Sequence, residues 1–315
     1  MGDSGAAVSV QVTEGLDAGA IWHYGDPFRE QKLLAAGQAG VDLSYRPVFT
    51  ISGPDRLRWL NDITSQDFAN LAPGQPTVAY ILSPQGHLAH VFGAIDDGTT
   101  LWCHTEPGRL PELLAWLGKM IFAARVELAE PDGFVLAMAP GAAPEVIPAG
   151  RLEDTLGPVR AGTWAMDALR IAAGLPRIFV DTDERTIPNE LANPDGDLLG
   201  PAVHLRKGCY PGQETVARVY NLGRPPRRLT RLLLDGSDDT LPPVGADVLA
   251  GDQVVGRMGS SQRHYELGPI GLALLKRQLN PETELMVAGI PAAQEPLVSA
   301  DAGLHWRPQP GLGRA

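Results

Sequence analysis

Apolar positions in the first half of the chain follow helix and strand periods in turn. Leucine and isoleucine between residues 57 and 63 repeat at helical spacing and predict a helix that begins after Pro54 and ends near Thr64. A leucine-rich repeat at 110–121, with Pro111 in its first turn, predicts a second helix. Both helices are expected to cover a sheet of three consecutive antiparallel strands at 78–82, 87–95 and 99–104. Further predictions are a helix at 28–40, strands at 41–44 and 47–51, a loop at 140–150, and regular structure at 164–172 and 177–180.

The pattern changes near residue 228, where short strands separated by turns predict a small all-β barrel or sandwich. Two consecutive prolines, Pro225 and Pro226, stiffen the connection and indicate a boundary. Before residue 20 the chain is small and polar and has no clear period. The predicted organisation is a loose N-terminal arm at 1–20, an α+β region at 21–225, a barrel at 226–307 and a tail at 308–315.

Composition limits the classes of function. The 315 residues are 44% hydrophobic, enough for the cores of several domains. No stretch approaches the roughly 18 apolar residues of a membrane span, and the first residues lack a signal-peptide pattern, so the expectation is a cytoplasmic protein without a membrane partner. The net charge of −11 argues against a general nucleic-acid binder.

Familiar cofactor and metal motifs are missing from the sequence. It contains no GxGxxG after a strand, no GxxxxGK[ST] and no HExxH. The nearest histidine pair, His87 and His90, would point to opposite faces of a strand. Two cysteines are too few for a four-cysteine zinc site or an iron–sulfur cluster within one chain, so no metal site is predicted.

Local charge differs from the overall charge. Residues 201–231 contain seven basic side chains and one acidic one. Such an island suits a polyanionic small ligand, such as a phosphate or the glutamate tail of a folate. A solvated surface loop explains the same charges, and both interpretations stay open at this point.

The two cysteines have different surroundings. Cys103 follows an apolar strand pattern, in which a thiol acts as a small buried hydrophobe. Cys209 follows Arg206 and Lys207 and has glycines close by, and neighbouring cations favour the reactive thiolate. Spacing identifies no partner base, so Cys209 could be a nucleophile, could form a mixed disulfide or could donate transiently to a cluster.

The region around Cys209 carries a family resemblance. Residues 207–214 read K-G-C-Y-P-G-Q-E and resemble the signature K-G-C-[FY]-x-G-Q-E of the YgfZ branch of the YgfZ/GcvT folate-binding family, at every fixed position. Similar family patterns occur at 41–44, 52–55 and 187–190, and the resemblance covers roughly residues 30 to 290.

The resemblance implies an α+β, GcvT-like three-domain ring with ferredoxin-like α/β layers, two of its subdomains intertwined, and a C-terminal barrel. It implies a central pocket for tetrahydrofolate or a one-carbon-substituted folate. It also implies assembly or repair of [4Fe–4S] proteins, including radical enzymes that modify tRNA, with iron–sulfur client or assembly proteins as partners and no direct nucleic-acid contact. Glu190 matches the carboxylate that binds the amino edge of the pterin, and Arg227 or Arg228 matches the arginine near the glutamate of the folate. The candidate residues are Cys209 and Lys207 for catalysis and Glu190, Tyr210, Gln213, Glu214, Arg218, Arg227 and Arg228 for the cofactor.

One departure from the family separates possible functions. The aminomethyltransferases have a motif of the type N-x-x-G-G-I-x-D-D, and residues 83–91 here read S-P-Q-G-H-L-A-H-V. His90 and Val91 stand where the aspartates would be, which disfavours aminomethyl transfer. The leading hypothesis is a folate-binding iron–sulfur accessory factor; the alternatives are a one-carbon transferase or demethylase that uses other residues, and a non-catalytic scaffold.

Overall fold

The computed structural model describes residues 9–237 and 239–299, which form an α+β protein. The tail predicted at 308–315 and the first eight residues of the predicted arm lie outside the described residues. The helices are α1 Pro27–Ala35, α2 Arg56–Ile63, α3 Leu110–Lys119, α4 Leu152–Leu156, α5 Thr163–Ala172 and α6 Gln213–Asn221, with 3₁₀ turns at Phe68–Asn70, Ala149–Arg151 and Pro188–Glu190. The strands are β1 Val10–Gln11, β2 Ile21–His23, β3 Val41–Asp42, β4 Val48–Ser52, β5 Pro76–Leu82, β6 Leu88–Asp96, β7 Thr100–His104, β8 Glu127–Ala129, β9 Phe134–Met138, β10 Glu145–Pro148, β11 Pro194–Asp195, β12 Leu198–Leu199, β13 Val203–His204, β14 Arg227–Leu234, β15 Asp247–Ala250, β16 Gln253–His264, β17 Gly268–Lys276, β18 Leu285–Val287 and β19 Ile290–Pro296.

The first layer is a five-stranded antiparallel sheet in the order β5-β6-β7-β4-β8. Its three consecutive strands, β5 to β7, and the helices α2 and α3 agree with the sequence pattern. Leu113 and Leu117 of α3 are buried with Phe49 and Phe92 of the sheet, as the helical repeat of leucines requires. This sheet forms one wall of the candidate site.

A second layer contains the three-stranded sheet β10-β9-β3, with α1 and α5 packed together nearby. The prediction of a loop at 140–150 was wrong in part, because residues 145–148 form strand β10 and pair with β9. The prediction of regular structure at 177–180 was also wrong, because these residues form a turn. Here Asp181 accepts a hydrogen bond from the backbone of Arg177, and Phe179 has a left-handed φ of 74°.

The C-terminal strands close into a barrel in the order β14-β17-β16-β15-β18-β19. Alternation along β14 sends Leu232 into the barrel core, while Leu229 packs outside against the rest of the protein. Strand β14 begins at Arg227, directly after the two prolines. The sequence pattern therefore predicted the barrel class correctly.

The described part of the N-terminal arm is ordered, in contrast to the loose arm expected from the sequence. Strands β1 and β2 form a hairpin. Asp17, in the connection, binds Arg177 through two hydrogen bonds of 2.5 and 2.6 Å. This long-range ion pair is invisible in the local sequence pattern. Within the described ranges, no helix is long and apolar enough to cross a membrane.

Candidate functional site

The loop that contains the signature is fastened to the first layer by Lys207. Its ammonium group donates to the carbonyl oxygens of Thr64 at 2.6 Å and Gln66 at 2.8 Å, and to that of Asn61. These carbonyls lie at and beyond the C-terminal end of α2, where unpaired acceptors and the helix dipole favour a cation. Burial lowers the pKa of Lys207 to about 8. All three ammonium donors are engaged with the main chain, and a catalytic role of Lys207 stays a prediction.

Gly212 fixes the other end of the same loop. It has a φ of +80° and precedes α6 directly. A Cβ atom there would lie 2.6 Å from the carbonyl oxygen of Ser83 and 2.9 Å from the Cα of Gly86. Only glycine fits both the backbone conformation and this contact with the turn between β5 and β6.

Between these two anchors, the side chain of Cys209 is exposed. The next residue, Tyr210, is buried, and its ring lies 5.1 Å from the Lys207 ammonium. Cys103 is buried in β7, as its apolar pattern predicted, and burial raises the pKa of its thiol well above the ordinary value. Only one of the two thiols is therefore accessible to another molecule.

Glu190 and Arg227 are bound to each other. The Glu190 carboxylate is fully buried and accepts from Nε and Nη2 of Arg227, each at 2.9 Å. It also accepts from the backbone N–H groups of Arg227 and Ile187. Arg227 donates further to Asp183 at 2.5 and 3.0 Å, and these bonds lower the pKa of Asp183 to about 2. The carboxylate of Glu190, which the sequence resemblance assigned to the pterin, is thus already bound by the guanidinium group of Arg227.

The other predicted cofactor residues lie in separate places. Tyr210 and Gln213 line a small pocket of about 240 Å³ beside α6. Glu214 and Arg218 lie on α6 itself. Arg228 is 2% exposed and belongs to the barrel. The fold therefore brings the signature residues together in one loop and helix, but it does not gather all the predicted residues around one cavity.

A cavity of about 370 Å³ lies against the first layer, and sequence reasoning missed the residues around it. Its walls come from β5, β6 and β7 on one side and from the segments 174–178 and 188–201 on the other. None of the sequence-predicted site residues lines it, although Pro188 and Leu191 flank Glu190. The lining comes from widely separated segments, which leave no local motif. The lining residues are Arg46, Val78, Tyr80, Val91, Phe92, Gly93, His104, Thr105, Glu106, Gly174, Leu175, Pro176, Arg177, Ile178, Pro188, Leu191, Ala192, Leu199, Gly200 and Pro201.

One part of the cavity wall is charged. Glu106 binds Nε of Arg177 at 2.6 Å and Nη1 of Arg46 at 3.2 Å. Asp17 completes the chain of ion pairs through Arg177. These side chains satisfy one another and fix the shape of this end of the cavity.

The remaining polar groups of the cavity are neutral. Burial and the positive charge of Arg46 lower the pKa of His104 to about 3, so its imidazole is uncharged at neutral pH. Burial raises the pKa of Tyr80 to about 12. The Tyr80 hydroxyl makes no hydrogen bond within the part of the chain that the structure describes. Apolar walls with a free hydroxyl and a neutral imidazole suit a flat, uncharged heterocycle.

His90 and Val91, which stand at the aspartate positions of the motif compared above, lie on opposite faces of β6. Val91 lines the cavity. His90 points to the other face, with its ring 6.1 Å from that of Trp116. Val91 therefore contributes an aliphatic side chain to the cavity wall, and His90 does not line the cavity. Within the described residues, no group of three or more His, Cys, Asp or Glu side chains is arranged to hold a metal ion.

Comparison with known proteins finds relatives in sequence and solved structures with a matching architecture. The chain is 24% identical to a putative chloroplastic transferase of Arabidopsis thaliana, across 77% of this chain and 66% of the relative. It is 23% identical to an aminomethyltransferase of Nostoc, across 80% of each. It is 29% identical to the mitochondrial iron–sulfur cluster assembly factor IBA57 homolog of Mycosarcoma maydis, across 60% of this chain and 55% of the relative. The crystal structure of glycine cleavage system aminomethyltransferase T from Bartonella henselae superposes with a TM-score of 0.72 at 17% identity, across 96% of each chain.

The chain is similar in sequence to these relatives and shares the fold of the aminomethyltransferase structure. No family model matches it. The alignments span about two thirds of the Arabidopsis relative and just over half of the fungal one. The GcvT-like α+β architecture implied by the sequence resemblance, including the closed terminal barrel, is confirmed.

Proposed function

We propose that this GcvT-like protein is a folate-binding accessory factor of the YgfZ branch that assists the assembly or repair of [4Fe–4S] proteins. The observation that carries the proposal is the exposed Cys209 on a loop anchored by Lys207 and Gly212. Relatives named as iron–sulfur cluster assembly factors also support a role with iron–sulfur proteins. Radical enzymes that modify tRNA are the proposed clients, and a cytoplasmic location stays a prediction.

The cavity beside β6 is the proposed folate site. Its volume of about 370 Å³ falls within the usual range for a small-molecule pocket, roughly 300 to 1,000 Å³. The unpaired Tyr80 hydroxyl and the neutral His104 can hydrogen-bond the edge of a pterin, while Val78 and Val91 cover its face. Bound tetrahydrofolate would supply a reduced pterin that can carry a one-carbon unit.

The role of Glu190 in folate binding depends on Arg227. Both oxygens of the carboxylate already accept from the guanidinium group. A contact between Glu190 and the amino edge of the pterin therefore requires Arg227 to move aside. Asp183 would still hold the displaced arginine, since it binds the outer guanidinium nitrogens.

The proposal does not include aminomethyl transfer. That reaction needs a carboxylate close to the amine, and the cavity wall has Val91 instead. In our proposal Cys209 meets the client protein, and the cluster iron is the substrate that its thiolate contacts. A thiolate is a good ligand for iron, and an exposed loop allows the contact without a change in the core.

Complementation tests the thiol. A bacterial strain that lacks its own protein of this type would receive the wild-type chain, Cys209→Ala or Cys103→Ala, and the activity of an endogenous [4Fe–4S] enzyme would be measured. We expect Cys209→Ala to fail at normal protein level and Cys103→Ala to restore activity in proportion to its level. Full restoration by Cys209→Ala would overturn the proposed thiol role.

A further inference from the structure

Three buried polar atoms without a hydrogen-bond partner among the described residues lie on the inner face of the barrel. They are Nε of Arg228, Oγ1 of Thr230 and Oε1 of Gln294. Arg228 and Thr230 are two residues apart on β14, and Gln294 on β19 pairs with Leu232, which faces the barrel core. Residues two apart on a strand share a face, so one end of the barrel interior is polar.

Arg228 is a buried cation without a carboxylate partner among the described residues. It is 2% exposed, and its Nη2 atom donates to the carbonyl oxygen of Leu279 at 2.8 Å. Burial and the positive charge of Arg277 lower its pKa. In contrast, its neighbours Arg227 and Arg231 form ion pairs with acids. An arginine buried in this way leaves positive charge that an anion can satisfy.

A groove of about 550 Å³ lies at this end of the barrel. We call it the barrel-mouth groove and define it by its lining: Arg224, Pro225, Pro226, Gln253, Val255, Lys276, Arg277, Gln278 and Leu279. The polar side chains of the lining are basic or amide groups, the remaining ones are apolar, and no aspartate or glutamate of the described residues lines the groove. Arg224 is exposed and forms no ion pair within the described ranges. A cluster of positive charge on a chain with a net charge of −11 attracts anions to this place.

The barrel-mouth groove is separate from the cavity proposed for folate. Arg227 and Arg228 are adjacent on β14 and project to opposite faces. Arg227 reaches Glu190 and Asp183, whereas Arg228 reaches the Leu279 carbonyl in the lining of the groove. The two sites share no lining residue.

We propose that the barrel-mouth groove binds a small multivalent oxyanion through Arg224 and Lys276, beside the buried Arg228. Lys276 donates one hydrogen bond to the carbonyl oxygen of Val254 at 2.8 Å and keeps two further donors for the anion. Phosphate groups and closely spaced carboxylates share this chemistry, and both accept bidentate bonds from guanidinium groups. The amides of Gln253 and Gln278 add uncharged donors to the rim of the site. This inference does not depend on folate binding or on Cys209.

The test is calorimetric titration of the full chain with tripolyphosphate and, separately, with triglutamate, at low and at physiological salt. The key variant is the double substitution Arg224→Gln with Lys276→Gln, because both side chains are exposed. Lys119→Gln, an exposed lysine of α3 outside the groove, is the matched control. Circular dichroism and thermal melting establish that each variant is folded.

We expect the wild type and Lys119→Gln to bind at least one probe with affinity that falls as salt rises. The double variant should bind about 100-fold more weakly, at about tenfold for each lost charge-assisted contact. The probe that binds more tightly identifies the phosphate or the carboxylate class. Failure of both probes to bind the wild type at low salt, or an equal loss in Lys119→Gln, would overturn the proposal.

Discussion

Replacing Lys207 with methionine tests how the signature loop is held. The substitution keeps most of the aliphatic stem and removes the ammonium group that donates hydrogen bonds to the carbonyl oxygens of Asn61, Thr64 and Gln66. Each hydrogen bond from a charged group contributes about 1.5 to 3 kcal/mol. Burial of the ammonium offsets part of this gain, as its lowered pKa of about 8 indicates, although the amine is still charged at pH 7. We therefore expect the loop to lose about 2 kcal/mol of local stability.

Amide hydrogen exchange measures that loss directly. A decrease of about 2 kcal/mol makes local opening about 30-fold more frequent, so exchange in residues 207–214 should accelerate by that factor. Exchange in the barrel strand β17 should be unchanged. Lys119→Met, which removes an exposed lysine, is the control and should alter neither region. Equal exchange in Lys207→Met and wild type would refute the anchoring role of Lys207.

Three further predictions concern two glycines of the signature loop, the two thiols and the ion pair between Asp183 and Arg227. Gly212→Ala should destabilise the protein by about 2 to 4 kcal/mol, because a residue in the left-handed conformation gains a Cβ atom that meets main-chain atoms. The Cβ atom of Gly208→Ala would meet no atom within 4 Å, so this control variant should melt at a temperature close to that of the wild type. Iodoacetamide should label Cys209 in the folded protein and Cys103 only after unfolding; labelling of both thiols in the native state would contradict the burial of Cys103. The pKa of Asp183 is lowered from 3.8 to about 2, so its contribution to stability is complete above its unfolded pKa and is lost as the pH falls toward 2. The melting temperatures of the wild type and Asp183→Asn should therefore converge over that interval. A constant difference between the two melting temperatures would contradict the ion pair.

Local patterns were sufficient for much of the fold. The repeat of leucines in α3, with Pro111 in its first turn, predicted both the helix and its buried face. The turn residues 83–86 predicted the hairpin between β5 and β6. The change of pattern near residue 228 predicted an all-β unit that the structure closes into a barrel. In these cases the physical determinant lies within about ten residues of sequence.

The candidate site depended on contacts that no local pattern contains. Lys207 was selected from the signature, but its carbonyl partners lie more than 140 residues away in the chain. Glu190 and Arg227 were chosen separately as ligands of folate, and the fold pairs them with each other. Tyr80 and His104 belong to ordinary strand patterns, and only the packing of distant segments makes them walls of a cavity.

Direct titration with tetrahydrofolate is the measurement that tests the central claim, the folate site beside β6. We expect one molecule to bind per chain, with Tyr80→Phe binding about fivefold more weakly because a hydrogen bond to the ligand is lost. Tyr265→Phe, which alters a tyrosine outside the cavity, should bind like the wild type. Absence of binding at millimolar tetrahydrofolate, or equal affinity of Tyr80→Phe and the wild type, would contradict this site.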